Sequence, residues 1–170
     1  MLLVVSWWGM PRIISDDEIN KYILEKKLFD SSIFKNFNPP VVKGHKRKVI
    51  EIDGESGTRF KLFYRENIRN PLDFSVGLCV IREDTGDEFC LKRYNGKSHW
   101  HRNKCPKGNG FWDFHIHKAT KKCQEDSIQE EDFAEISKKY STARQALDLL
   151  LFDCGFSQTI QSTLSLVGEY

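Results

Sequence analysis

Four of the five histidines in this 170-residue sequence lie between positions 99 and 117, as the pairs His99/His101 and His115/His117. In an extended chain, side chains two residues apart project from one face, so each H-x-H pair presents two imidazoles side by side. Histidine exchanges protons near neutral pH, and a pair can act as base and acid in one turnover. Cleavage of RNA asks for little more. One imidazole takes the proton of the ribose 2′-hydroxyl, another protonates the leaving oxygen, and Arg93 or Lys97 stabilises the charge that builds on phosphate. Asp113, two residues before His115, is placed to orient an imidazole in that scheme.

The same residues support two other readings. Neutral imidazoles at i and i+2 offer nitrogen ligands, so His99, His101, His115 and His117, with Asp113 or Cys105 completing the shell, would hold zinc or another divalent transition metal. Nine cationic neighbours oppose a divalent ion there, which puts the metal-independent, cofactor-free reading first. In the third reading the rings are solvated side chains on the open face of a one-sided sheet.

Charge is segregated along the chain. Residues 1–90 hold 14 basic and 14 acidic side chains, residues 91–122 hold nine basic against one acidic, a net +8, and residues 123–170 hold three against nine, a net −6. The stretch that carries the histidines therefore also carries the positive field, which points to an anionic partner, with nucleic acid the commonest. Arg93, Lys97, Arg102, Lys104 and Lys107 are the candidate phosphate contacts and RNA the expected partner, either of an endoribonuclease or, as the alternative, of a non-catalytic nucleic-acid- or protein-binding module. The competing expectation is internal neutralisation by the acidic last third.

Positioning these residues requires strands. Period two across 111–117, FWDFHIH, puts Trp112, Phe114 and Ile116 on an apolar face and Asp113, His115 and His117 opposite. Ser98 to His101 repeats the pattern, with Trp100 on the apolar side. Pairing of the two strands through the CPKGNG loop would gather both histidine pairs and Asp113 on one face and send both tryptophans to the core. Upstream, Val49–Asp53 and Thr58–Glu66 read as a hairpin with Phe60, Leu62 and Tyr64 on one face. Phe74, Val76, Leu78 and Val80 then alternate, and the chain returns through Phe89 and Leu91 to Arg93. Ser15 and Glu18 form an S-x-x-E capping box with Ile14 and Ile19 as a staple, predicting a helix over 16–28. Ala143, Ala146, Leu147, Leu150 and Leu151 predict a second from about Ser141, with Gly155 and Phe156 at its end. The basic run Lys43–Lys48 reads as the solvated start of a strand.

The expected class is α+β: one antiparallel sheet of about five or six strands with a helix from each end of the chain on one face. Residues 15–156 are the expected domain, 1–14 an N-terminal extension and 157–170 a loose tail. Met10 offers a second start, so residues 1–9 read either as an upstream extension or as a strand on the body. Five cysteines, odd in number and without a C-x-x-C pair, do not form a secreted disulfide framework and point to a cytoplasmic home. No apolar run approaches the roughly 18 residues of a membrane span, so no membrane partner is expected.

The run RYNGKSHWH, the later DFHIH and the following YSTARQALDLLL resemble small uncharacterised prokaryotic proteins and, more distantly, the TumE-type toxins of toxin–antitoxin systems. In that pattern a strand end of R-Y-D-N type precedes paired histidines, a second histidine-rich strand and a short terminal helix. The likeness spans roughly residues 58–156. On the resemblance Arg93, Tyr94 and Asn95 match the strand end, and His99, His101, His115 and His117 the histidine strands. It implies a toxin-type endoribonuclease and a cognate antitoxin as partner. This chain departs in carrying Asn95-Gly96 where an acidic residue is expected, a longer stretch before the helix and an extra N-terminal helix.

Overall fold

The computed structural model describes residues 12–30, 32–35, 37–104, 107–126 and 133–156. The expectations for residues 1–9 and for the tail 157–170 lie outside the described residues. The expected domain start at residue 15 moves earlier, because Arg12 and Ile14 are tied to the body: Arg82 donates to the Arg12 carbonyl, and the amide and carbonyl of Ile14 both bond to the Gln124 side chain.

A meander of long strands forms the frame: β3 (His45–Gly54), β4 (Arg59–Asn67), β5 (Phe74–Ile81) and β6 (Glu88–Asn95). Short strands extend it at both sides. β1 (Lys27–Leu28) and β2 (Val41–Val42) pair with β3, while β9 (His115–Lys118) pairs with β6 and then with β10 (Ala134–Ile136). All pairings are antiparallel, and the eight strands curl into a half-barrel. The α+β expectation holds, with more strands than five or six because two- and three-residue strands give too little alternation to be read from sequence.

Period two decides the two faces. Tyr64, Val76, Tyr94 and Ile116 stand opposite one another across β4, β5, β6 and β9, as do Leu62 with Leu78 and Phe60 with Val80. Of the helices α1 (Asp16–Leu24), α2 (Ser32–Lys35), α3 (Lys121–Glu125) and α4 (Ala143–Asp153), the first and last cover this apolar face and bury Ile19 and Ile23, and Ala143, Ala146, Leu147 and Leu150. Burying each of those large aliphatic side chains stabilises the docked helix by roughly 1.5–3 kcal/mol, so α4 is held by its stripe. Ser15 accepts from the Glu18 amide as the N-cap of α1. Glu18 does not close the box; its carboxylate takes bonds from Arg12 and Tyr22. The helix stops at Leu24 rather than 28, because Lys27 turns into β1 and sends its ammonium back to the carbonyls of Tyr22 and Ile23. Gly155 follows α4 at φ +76°, where the Glu25 carbonyl lies against its Cα and a side chain would collide.

The opposite face carries the row Arg65, Ser75, Asn95, His115 and the row Phe63, Gly77, Arg93, His117, Ala134. Over its β9 end folds a separate two-stranded hairpin, β7 (His101–Lys104) with β8 (Lys107–Phe111). The single strand expected over 111–117 is thus two strands, one in each sheet, broken at Trp112–Phe114.

Candidate metal centre

The hairpin alternates as its sequence requires, but with the opposite sense to the one expected. His101 pairs with Phe111 and their rings face the sheet, 5.2 Å apart between centroids. Arg102 pairs with Gly110 on the outer face. Trp100 lies against Gly110 on that same face and beside Trp112, and the two indoles remain 54% and 57% exposed. Both tryptophans therefore leave the core position assigned to them. Glycines at 108 and 110 leave room for an indole outside, while the inner side must fit against β9, whose own inward residues on this face are imidazoles.

His101, His115 and His117 converge in that seam. Their ring centroids lie 4.7–4.9 Å apart, with His101 and His115 nearly parallel at 22° and His117 edge-on to His101 at 85°. His115 is fully buried, His117 is 2% and His101 9% exposed. One ring nitrogen from each lies within 4.8 Å of the others. Tetrahedral nitrogen ligands at roughly 2.0–2.1 Å from zinc stand about 3.3 Å apart, so closing on an ion asks for side-chain rotations that bring the nitrogens together by about 1.5 Å at most. His99, on the loop between β6 and β7, is exposed and sits 5.4 Å from the His115 ring.

Neighbouring groups determine which nitrogens carry lone pairs. The Nδ1 of His115 lies 2.7 Å from the Asp113 carbonyl, which can only accept, so Nδ1 is protonated and the neutral ring keeps its lone pair on Nε2. The Asn95 amide reaches that Nε2 at a long 3.4 Å and is itself held by the Ser75 hydroxyl, 2.8 Å from Oδ1. The Nε2 of His101 donates to Asn103 Oδ1 at 2.9 Å, leaving Nδ1 with the lone pair. Asn103 cannot be turned round, because its Oδ1 also accepts from the Ala134 amide and its Nδ2 donates to the Ala134 carbonyl, both at 2.9 Å. These are the partners that orient imidazole ligands around metals.

Electrostatics keep His115 neutral. Burial, then His101, His99 and Arg93, push His115 down to about 4 against the opposing Asp113 carbonyl. Desolvation, followed by His101 and Arg93, also lowers His99. Neutral imidazole is the ligand form.

The remaining expected site residues divide. Arg93 stands directly across from His117 in the sheet. Asp113 is exposed and orients His115 through its backbone carbonyl rather than its carboxylate. Cys105 lies outside the described residues. Lys97 sits over the Phe114 ring at 5.2 Å, Arg102 donates to the Gly108 carbonyl at 3.0 Å, and both are exposed, as are Lys104 and Lys107. The acidic last third does reach part of the basic stretch, through Lys92–Asp153, Lys121–Glu125 and Lys122–Asp126. Sequence reasoning missed Asn103, Ser75 and Tyr140. Tyr140, from the segment before α4, sends its hydroxyl to the carbonyls of Asn95 and His115 at 3.0 and 2.7 Å and so clamps β6 to β9 behind the site. An asparagine two residues after His101 was the available signal for the first of these; nothing local marked the other two.

Among the described residues no helix is long and apolar enough to cross a membrane. Comparison with protein families, with curated proteins and with solved structures finds no match to this chain.

Proposed function

We propose that this protein binds a divalent transition metal of the zinc class through His101, His115 and His117, with the His99 side as the place where a fourth ligand enters. The observation that carries the reading is the convergence of three buried rings, two of which have one nitrogen protonated and engaged, so that the lone pair sits on the other, met on His115 only by the long contact from Asn95. Nitrogen-rich sites of this kind suit zinc and its neighbours in the first transition row. Three protein ligands with a fourth position for water or substrate is the composition of catalytic rather than structural zinc sites, and a metal so held activates water and polarises carbonyl or phosphoryl oxygens. Burial counts against direct acid–base work by His115 and His117, since a phosphodiester cannot reach a ring with no exposed surface.

The test is elemental analysis and metal titration of the full chain purified without a histidine tag. One equivalent of zinc or cobalt is expected, with His101→Ala, His115→Ala and His117→Ala each abolishing tight uptake and His99→Ala weakening it less. A folded parent chain that takes up no metal from either titrant removes the reading.

A second reading, metal-independent RNA cleavage of toxin type under the control of an antitoxin, draws support from His99, which is exposed and has Arg93 within electrostatic reach. RNA cleavage that persists in chelator and is lost in His99→Ala would favour it over the metal.

A further inference from the structure

Two tryptophans more than half exposed, side by side on a hairpin, are unusual in a chain that had a core position available for them by parity. We propose that the outer face of the β7–β8 hairpin binds single-stranded nucleic acid, with bases stacking on Trp100 and Trp112 and phosphates meeting Arg102 and Lys107. The proposal does not rest on the metal centre, which faces the other side of the same hairpin.

Three observations converge on it. The indoles are neighbours, with centroids 6.1 Å apart and planes inclined at 58°, so they do not stack on each other, and each keeps more than half of its surface open to solvent. The floor under Trp100 is Gly110, where a Cβ would collide with the indole, and Arg102 stands opposite that glycine in the register. Arg102 therefore belongs to the same face of the hairpin as Trp100, its guanidinium tethered through Nε to the Gly108 carbonyl. Finally, the exposed charge on the hairpin is basic, Arg102, Lys104 and Lys107, against the single acid Asp113 next to Trp112, a net +2. Aromatic faces interleaved with cations are the composition of single-strand sites, because every base has a π-face and every nucleotide a phosphate. A duplex hides its bases and offers only the phosphates. The other explanation of the pair is that each indole simply covers the hairpin, in which case any apolar side chain of similar bulk would serve.

The experiment separates these. Fluorescein-labelled oligouridylate is titrated with the full chain in chelator at low salt, with the same measurement on Trp100→Leu, Trp112→Leu, Arg102→Gln and Lys107→Gln and a thermal melt of each. Leucine retains apolar cover without a stacking face, so each tryptophan variant is expected to bind roughly 5- to 100-fold more weakly while melting near the parent. Each cation variant is expected to lower the slope of log K against log salt by about 0.7. Should a leucine variant fall in melting temperature, Trp100→Phe or Trp112→Phe, which keeps a stacking ring, is expected to restore binding. A parent chain that does not bind oligouridylate, leucine variants that bind as the parent does, or a duplex that competes as well as the single strand would each overturn the proposal.

Discussion

At the scale of single residues, the proposed metal centre needs both the histidines and the groups that fix their protons. An imidazole free to rotate offers either nitrogen; His101 and His115 each offer one, because Asn103 and the Asp113 carbonyl occupy the other. Asn103 also substitutes for a strand neighbour of Ala134, so one side chain both attaches the hairpin to the sheet and sets a tautomer. Replacing it with leucine removes the acceptor while leaving all three imidazoles in place. Zinc affinity in Asn103→Leu is expected to fall about 10- to 100-fold, read by competition with a chromophoric chelator; affinity equal to the parent's would show that the tautomer is set elsewhere. The histidines were legible in the sequence as a cluster, since i, i+2 spacing is a local property. Asn103 and Ser75 were not, since their importance comes from partners 31 and 20 residues away in the chain.

Among elements, the crossing of β6 and β9 is the joint on which the site turns. β9 is only four residues long and must hold two buried imidazoles, which on their own add little apolar burial. Tyr140 compensates by bonding to a carbonyl on each strand, at Asn95 and His115, and by packing its ring against Phe74, Tyr94 and Phe114. Tyr140→Phe keeps the ring and deletes the hydroxyl, removing the one proton shared by two buried carbonyls. We expect a loss of about 1–2 kcal/mol, seen as a lower urea midpoint at unchanged m-value; a midpoint within error of the parent would mean that water replaces the hydroxyl. The meander from Val49 to Arg93 was legible in advance because long strands with one buried face alternate cleanly. The hairpin was legible in its parity and not in its polarity. Both of its faces carry large side chains, and no local rule says whether the tryptophans or the histidines turn inward.

For the molecule as a whole, pH stability should carry the signature of a buried lysine. Lys27 is 3% exposed, lies 4.3 Å from the centre of the Phe60 ring and bonds to two helix carbonyls. Burial pushes it down from 10.5 to about 8, against the opposing influence of Cys154 and Glu25. Between those values the folded chain binds fewer protons than the unfolded one, so this group makes stability rise with pH, approaching about 1.4 kcal/mol per pH unit. Cys154, pushed by burial up to about 11, pulls the other way above pH 9 and is coupled to Lys27, so the comparison with Lys27→Met is read below pH 9. Denaturant melts from pH 7 to 9 are expected to show the parent gaining on the variant as pH rises; parallel curves would mean that Lys27 stays charged in the fold. Charge segregation was also legible at this scale, as were the i,i+4 pairs Lys121–Glu125 and Lys122–Asp126; only the tertiary structure shows that Asp153 neutralises Lys92.

Composition and period alone determined the α+β class, the two helices with their caps and stripes, the long strands and the clustering of histidine with positive charge, because each is a pattern among residues close in the chain. Which side of the hairpin is buried, which ring nitrogens are left with lone pairs and where the two indoles lie were decided only in three dimensions. They depend on how a short two-stranded piece docks on β9, and docking minimises the free energy of the whole interface rather than of either strand, so no window of sequence contains the answer.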